Sequence, residues 1–264
     1  MSTAQTLSQL ESSSSRQAIM EIDPAQSMSS RGIELSQLFA AIPAADLAEI
    51  QSAARKTTYY AGQTIFFAGE KIQRVALLEE GTVKITRVDE GGSAVILQLV
   101  GPCEVVGPLE RSRIVEHLST AEARTTCKAL VWDMATFEIL SKRFPSLQLN
   151  ATRILAECLQ RLETRFCEIS TKKVSQRLAC ELARLLPQVG RKVGLDGVEI
   201  NLSQEELAQM TATTQFTVSR HLTVWEQKGV VSLQRLRLLV RNLNTLVTIS
   251  EFERSDGTYS PKRS

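Results

Sequence analysis

The sequence predicts an α+β chain in three parts: an antiparallel β-domain, one long helix and a C-terminal helix-turn-helix. Three observations carry this. Residues 55–134 hold short segments rich in β-forming side chains and punctuated by glycine. Residues 146–169 keep an apolar seam at alternating spacings of four and three. The stretch Leu202 to Val231, LSQEELAQMTATTQFTVSRHLTVWEQKGVV, reads as two helices joined by a tight turn.

Residues 1–30 are rich in serine and glutamine, with Ser12 to Ser15 in a row, and are expected to form a disordered tail. Within it, Ala18 to Ile22 fits a short amphipathic helix. From Ile33, the run ELSQLFAAIPAADLAEIQSAA predicts two short helices, the second opened by Pro43. Their apolar side is Leu38, Phe39, Ile42, Leu47 and Ile50. Six strand-like segments follow: TTYY, TIFF, RVALLEE, TVKITRV, AVILQLV and KALVWDM. Gly62, Gly69, Gly81, Gly91-Gly92, Gly101 and Gly107 separate them. Short strands at this spacing close into a barrel or a sandwich. Ala135 to Arg143 predicts a short helix.

The long helix is expected over Ser146 to Ile169. Leu155, Leu159, Leu162, Phe166 and Ile169 form the seam of a coiled coil. Leu147, Ala151, Ile154 and Cys158 form a second stripe beside it. Two adjacent stripes predict one face for the β-domain and one for a partner. A further helix is expected over Thr171 to Leu186, ended by Pro187. A polar connection with Gly190, Gly194 and Gly197 leads to a strand at Val198-Glu199-Ile200.

In the helix-turn-helix, Ser203 and Glu206 make a capping box, so the first helix should start at Gln204. Leu207 and Met210 give it one apolar face. Thr211-Ala212-Thr213 is the expected turn. A left-handed residue at Ala212 would cost alanine about 1 kcal/mol, so a slightly different turn is expected. Thr214 is the N-cap of the second helix. Val218, Leu222 and Trp225 point inward, and Gly229 closes the helix. Gln215, Phe216, Ser219 and Arg220 lie on its other side, at the end that enters a DNA major groove. After Gly229, VVSL and LRLLVRN read as two strands, with Arg235, Arg237 and Arg241 on or near them.

Composition bounds the function. The 264 residues suffice for two domains and a tail, and 43% are apolar. Net charge is +2, unevenly placed. From Ser170 onward, 14 Lys or Arg face 9 Asp or Glu; residues 31–169 carry 16 against 17, and the first thirty 1 against 3. A basic C-terminal part suits a phosphate backbone. The five cysteines (Cys103, Cys127, Cys158, Cys167 and Cys180) form no CxxC and are expected to be reduced and mostly buried. No apolar run approaches the roughly 18 residues of a membrane span, and no signal peptide is apparent, so a cytoplasmic protein is expected. Two histidines, without a P-loop, a Ser-His-Asp spacing or a metal triad, argue against an enzyme.

The run Thr-Val-Ser-Arg-His-Leu at 217–222, with a capped helix before it and Gly229 and an apolar-basic ribbon after it, resembles the winged helix-turn-helix of the Crp/Fnr family of bacterial transcription regulators. Ala68-Gly69-Glu70 and the run Glu80 to Val83 resemble that family's cyclic-nucleotide-binding β-roll. Together the resemblance covers about residues 33–250. It implies a tail (1–30), a β-roll sensor domain (31–145), a dimerisation helix (146–170), a winged helix-turn-helix domain (171–254) and a polar tail (255–264). It also implies three partners: a second copy of the chain, double-stranded DNA carrying an inverted repeat, and RNA polymerase. By the resemblance, Gln215, Phe216, Ser219 and Arg220 read bases. Thr214, Thr217, His221, Lys228, Arg235 and Arg237 contact the DNA backbone. Many members have arginine and glutamate at the first two reading positions. Arg220 is retained, whereas Phe216 departs from the glutamate, so the target sequence does not carry over.

Cyclic-nucleotide binders of the family carry Gly-Glu and, about ten residues on, Arg-Ser/Thr-Ala. The matching stretches are Gly107-Pro108-Leu109-Glu110 and Leu118-Ser119-Thr120-Ala121. Pro108 stands in the glutamate's place, and Leu118 or Ser119 in the arginine's. A buried phosphate without its arginine is a poorly compensated charge. The sensor domain is therefore expected to have lost its nucleotide anchors, with Gly107, Pro108, Glu110, Leu118 and Ser119 as effector-pocket candidates. Arg111 and Arg113 offer a substitute charge on a different geometry. No cofactor or metal is predicted, and the effector is unknown. No cysteine precedes Cys103, which speaks against the family's N-terminal iron–sulfur cluster. The alternative is a haem- or redox-gated regulator of the same fold, with His117, Cys103 and Cys127 as candidate ligands. His117, in a loop-like segment, reads more simply as polar surface.

Overall fold

The computed structural model describes residues 33–109, 116–194, 197–234 and 237–251. The expected tails, the helix at Ala18 to Ile22, and Glu110, Arg111, Arg113 and Arg235 lie outside them. The chain divides into a unit within residues 26–167 and a unit within 168–264.

In the first unit, two 3-10 turns (Ile33–Leu35 and Gln37–Phe39) and helix α1 (Ala44–Ser52) precede eight strands. These are β1 (Arg55–Tyr59), β2 (Thr64–Phe66), β3 (Arg74–Glu80), β4 (Val83–Val88), β5 (Ala94–Val100), β6 (Val105–Val106), β7 (Thr120–Ala123) and β8 (Cys127–Asp133). They pair into two four-stranded antiparallel sheets, ordered β1-β8-β3-β6 and β2-β7-β4-β5. The two central strands of the first sheet, β3 and β8, are buried on both faces. Ala76 and Leu78 of β3, with Ala129 and Val131 of β8, join a core shared with the second sheet. Val75 and Leu77, with Leu130 and Trp132, point the other way into a core made with the helices. This is why RVALLEE and KALVWDM are nearly continuous apolar runs. Trp132 donates from Nε1 to Ile50 O at 2.8 Å and meets Phe39 and Phe137 edge-on. Gly81 has φ 92°, and a side chain there would come within 2.5 Å of Thr126 O, so the β3–β4 turn admits glycine only.

Helices α2 (Met134–Arg143) and α3 (Pro145–Thr171) follow. The predicted second stripe of α3 packs on the helix-side core: Leu147 and Ala151 are buried, and Ile154 packs against them. Asn150 fixes this half by donating from Nδ2 to Leu38 O at 3.1 Å and Ala40 O at 2.8 Å. Four turns on, Arg165 donates to Leu97 O and Ile96 O of β5. The seam residues stay in solvent: Leu155 is 44% exposed, Leu159 59%, Leu162 46%, Phe166 73% and Ile169 44%.

The second unit holds α4 (Val174–Val189), β9 (Arg191–Val193), β10 (Gly197–Ile200), α5 (Gln204–Thr211), α6 (Gln215–Gln227), β11 (Val231–Gln234), β12 (Arg237–Val240) and α7 (Leu243–Glu251). The four strands form one antiparallel sheet, β11-β12-β10-β9. Three expectations need correction. Thr171 ends α3 and does not begin α4; Lys172 and Lys173 break the two, and Gln176 caps the new helix by accepting from Lys173 N at 3.1 Å. Pro187 does not stop α4, which runs on to Val189 because a proline in the last turn forfeits only one donor. The cysteines are not mostly buried: Cys127 and Cys180 are, Cys103 and Cys158 are half-buried, and Cys167 is exposed. Strands β6, β7 and β9 and helix α7 were not predicted. Among the described residues, no helix is long and apolar enough to cross a membrane, and no cluster of three metal-ligating side chains occurs.

Candidate functional site

Helix α5 starts at Gln204 on the capping box: Ser203 Oγ accepts from Glu206 N at 3.1 Å, and Glu206 Oε2 accepts from Ser203 N at 2.8 Å. It ends one residue later than expected. Thr211 is its last residue and is 2% exposed, so the turn is Ala212 and Thr213. Ala212 does take the left-handed conformation, at φ 50° and ψ 54°. Thr214 then caps α6, with Oγ1 accepting from Thr217 N at 3.3 Å and lying 3.0 Å from Thr217 Oγ1. Helix α6 closes on Gly229 at φ 68°. Gly229 N donates to Glu226 O and Val230 N to Trp225 O, both at 2.9 Å, which satisfies carbonyls of the last turn.

These ends fix the rotation of α6. Val218, Leu222 and Trp225 are buried. Gln215 and Arg220 are exposed, Ser219 and Thr217 are half-buried, and Phe216 is 77% exposed. The Phe216 ring therefore does not pack into its own domain. His221 is half-buried on the helix flank, and Lys228 is exposed at its C-cap. Glu226 of α6 accepts from Leu233 N of β11 at 2.7 Å, tying helix to ribbon.

The ribbon holds a feature missed from the sequence. Arg237, at the start of β12, lies 3.5 Å from Glu199 Oε2, and Arg191 of β9 lies 3.2 Å from Glu199 Oε1. The Glu199 side chain is only 15% exposed, so one largely covered carboxylate gathers two arginines across three strands. Period-two alternation along β10 placed Glu199 opposite Val198 and Ile200, but the pairing came from the sheet order.

In the first unit, Gly107 has φ 96°, and its Cα side faces the rings of Phe66 and His117. Leu118 is 59% exposed, while Pro108 and Ser119 are half-buried. Gly107 and His117 therefore lie side by side. His117 is not polar surface. It is 7% exposed and stacks on Phe66 with ring centroids 3.6 Å apart. Its backbone pairs with Gly69 and Glu70. Burial lowers its imidazole pKa, and the Glu70 carboxylate opposes this by raising it.

Comparison with known proteins places both halves. A cyclic nucleotide-binding domain model matches residues 56–144, and a Crp-like helix-turn-helix domain model matches residues 176–249. The chain is 24% identical over 210 residues to the CRP-like cAMP-activated global transcriptional regulator of Mycobacterium tuberculosis, covering 79% of this chain and 94% of that one. It is 29% identical over 179 residues to the cyclic AMP receptor protein of Thermus thermophilus, covering 68% and 80%. The fold is shared with FixK2 from Bradyrhizobium japonicum, at a TM-score of 0.66 and 18% identity over 74% of this chain and 96% of that chain.

Proposed function

We propose, from the premise that the chain belongs to the Crp/Fnr family of transcription regulators, that it binds an inverted repeat in double-stranded DNA as a homodimer. The observation that carries this reading is the exposed start of α6. Gln215, Phe216 and Arg220 are presented on a helix capped at both ends and buried along its other side. Arg220 is the guanine reader by its chemistry, since a guanidinium bonds guanine O6 and N7 together. Phe216 offers an apolar face to a thymine methyl. Thr214, Thr217, His221, Lys228, Arg235 and Arg237 serve as backbone contacts, with RNA polymerase as the onward partner. Support for the dimer comes from the α3 seam, five apolar side chains at coiled-coil spacing that are all at least 44% exposed.

Two of the relatives are named for cyclic AMP. This chain has Pro108 where the family's ribose-binding glutamate stands and exposed Leu118 or half-buried Ser119 where its phosphate-binding arginine stands. We assign its sensor domain a response other than to a classical cyclic nucleotide. Selection from a random DNA library followed by sequencing tests the DNA reading. The expected product is an inverted repeat with half-sites about one helical turn, roughly 34 Å, apart. Failure to enrich any site would overturn it.

A further inference from the structure

The turn of the helix-turn-helix holds its one non-glycine left-handed residue, Ala212, without local help from glycine or asparagine. The help arrives from α4. Arg177 donates from Nε to Thr211 O at 3.0 Å and from Nη2 to Ala212 O at 3.2 Å. From Nη1 it donates to Lys172 O at 3.1 Å. The first two acceptors sit at the open C-terminal end of α5, where carbonyls lack helical partners and a cation complements the helix dipole. The third lies in the break between α3 and α4. One planar guanidinium thus spans the break and the turn, a fork that a lysine ammonium cannot reproduce.

We infer that Arg177 is a positioning residue for DNA recognition. It holds the α5–α6 turn in its left-handed form, so it sets the direction in which α6 leaves the turn. It also ties that direction to the residues that end the long helix. This rests on the reading of α6 as the recognition helix. It goes beyond that reading because Arg177 is on neither α6 nor the ribbon. Two observations converge on it independently: the backbone strain at Ala212, and the capture of both carbonyls flanking that strain by one side chain.

The test is a double-mutant cycle in the full chain, with affinity for the selected site measured by fluorescence anisotropy. Arg177→Ala should weaken binding about ten- to hundredfold, because a turn that has lost its charge-assisted hydrogen bonds must be re-formed on the DNA at the expense of binding. Arg177→Lys should recover little of it. In an Ala212→Gly background the turn needs no clamp, so Arg177→Ala should cost about threefold or less. Equal losses in both backgrounds would mean that Arg177 merely stabilises α4, and would overturn the inference. A second readout does not depend on DNA. Thr213 N donates to Ala208 O at 3.1 Å across the turn, so hydrogen exchange at that amide reports the turn directly. Arg177→Lys should speed it; unchanged exchange overturns the inference. If wild type selects no DNA at all, the DNA reading fails, and the exchange result still decides whether Arg177 holds the turn.

Discussion

Leu162→Glu tests the seam of α3 most directly. Five side chains on the seam, Leu155, Leu159, Leu162, Phe166 and Ile169, have roughly half their surface left to bury. Fully burying one such side chain contributes about 1.5–3 kcal/mol, so ten half-burials across a two-fold axis contribute about 8–15 kcal/mol gross. Association costs about 4–15 kcal/mol in lost freedom and a micromolar dimer needs about 8 kcal/mol net, so a dimer that holds on this seam at micromolar protein uses nearly all of that gain and keeps little surplus. Leu162 is the middle position. A glutamate there removes two half-buried leucines from the dimer and sets two carboxylates against each other in an apolar seam. The penalty, several kcal/mol, exceeds that surplus. Sedimentation velocity at micromolar protein should show a dimer for wild type and a monomer for the variant. The melting temperature should fall only by what the lost association supplied and should stop depending on protein concentration, because a residue 46% exposed in the single chain contributes little to its core. If both proteins sediment as the same dimer, the seam is not the interface.

Phe216→Ala should leave the melting temperature unchanged, since the ring is 77% exposed, and should alter the base preferred at one position of each half-site. A lowered melting temperature with an unaltered selected sequence refutes that role. Arg220→Ala should cost about 1–3 kcal/mol per bidentate pair and relax specificity at one position, in contrast to Lys228→Ala, which should weaken all sequences alike and flatten the salt dependence. Titration calorimetry with cyclic AMP and cyclic GMP should give no tight binding; a micromolar dissociation constant with one nucleotide per chain ends the claim of lost anchors. His117 predicts a pH effect. Burial lowers its pKa in the folded state, so between that value and about 6.5 the unfolded chain binds more protons. Stability from this group is complete above pH 6.5 and is lost as pH falls through the folded pKa. His117→Phe keeps the ring stack on Phe66 and removes the proton. Its melting temperature should fall less than wild type between pH 7.5 and 5.5, and an equal fall rejects the assignment.

What was legible in the sequence had a period or a chemical signature. The capping box at Ser203 and Glu206, the N-cap at Thr214 and the closing Gly229 are local rules, and each helix end lies within a residue of its expected place. The two stripes of α3 separated correctly into a buried one and an exposed one, because both repeat over several turns. Elements too short to repeat were missed. Strand β6 has two residues, and β7 is Thr-Ala-Glu-Ala, poor in β-formers. Helix α7 reads LNTLVTISE, with β-branched residues at four of nine positions, so its propensity pointed to strand; it is held by packing on α4, where Leu246 is fully buried. His117 was misread for a different reason. Its burial depends on the ring of Phe66, which is distant in sequence, and on the turn at Gly107 that faces both rings. Arg177 and Glu199 were invisible for the same reason, since their partners come from other elements.

The two anchors of α3 give the long helix a mechanical character. Asn150 ties its first half to the second 3-10 turn and its C-cap Ala40, on the side of the β1-β8-β3-β6 sheet, whereas Arg165 ties its second half to β5 of the other sheet. The two stand fifteen residues apart, about 22 Å along the helix. Any slip of one sheet against the other therefore acts on this helix as a couple, held at one end and pushed at the other. The same rod carries the exposed seam, so a load between the two sheets would bear on the helix that presents those side chains.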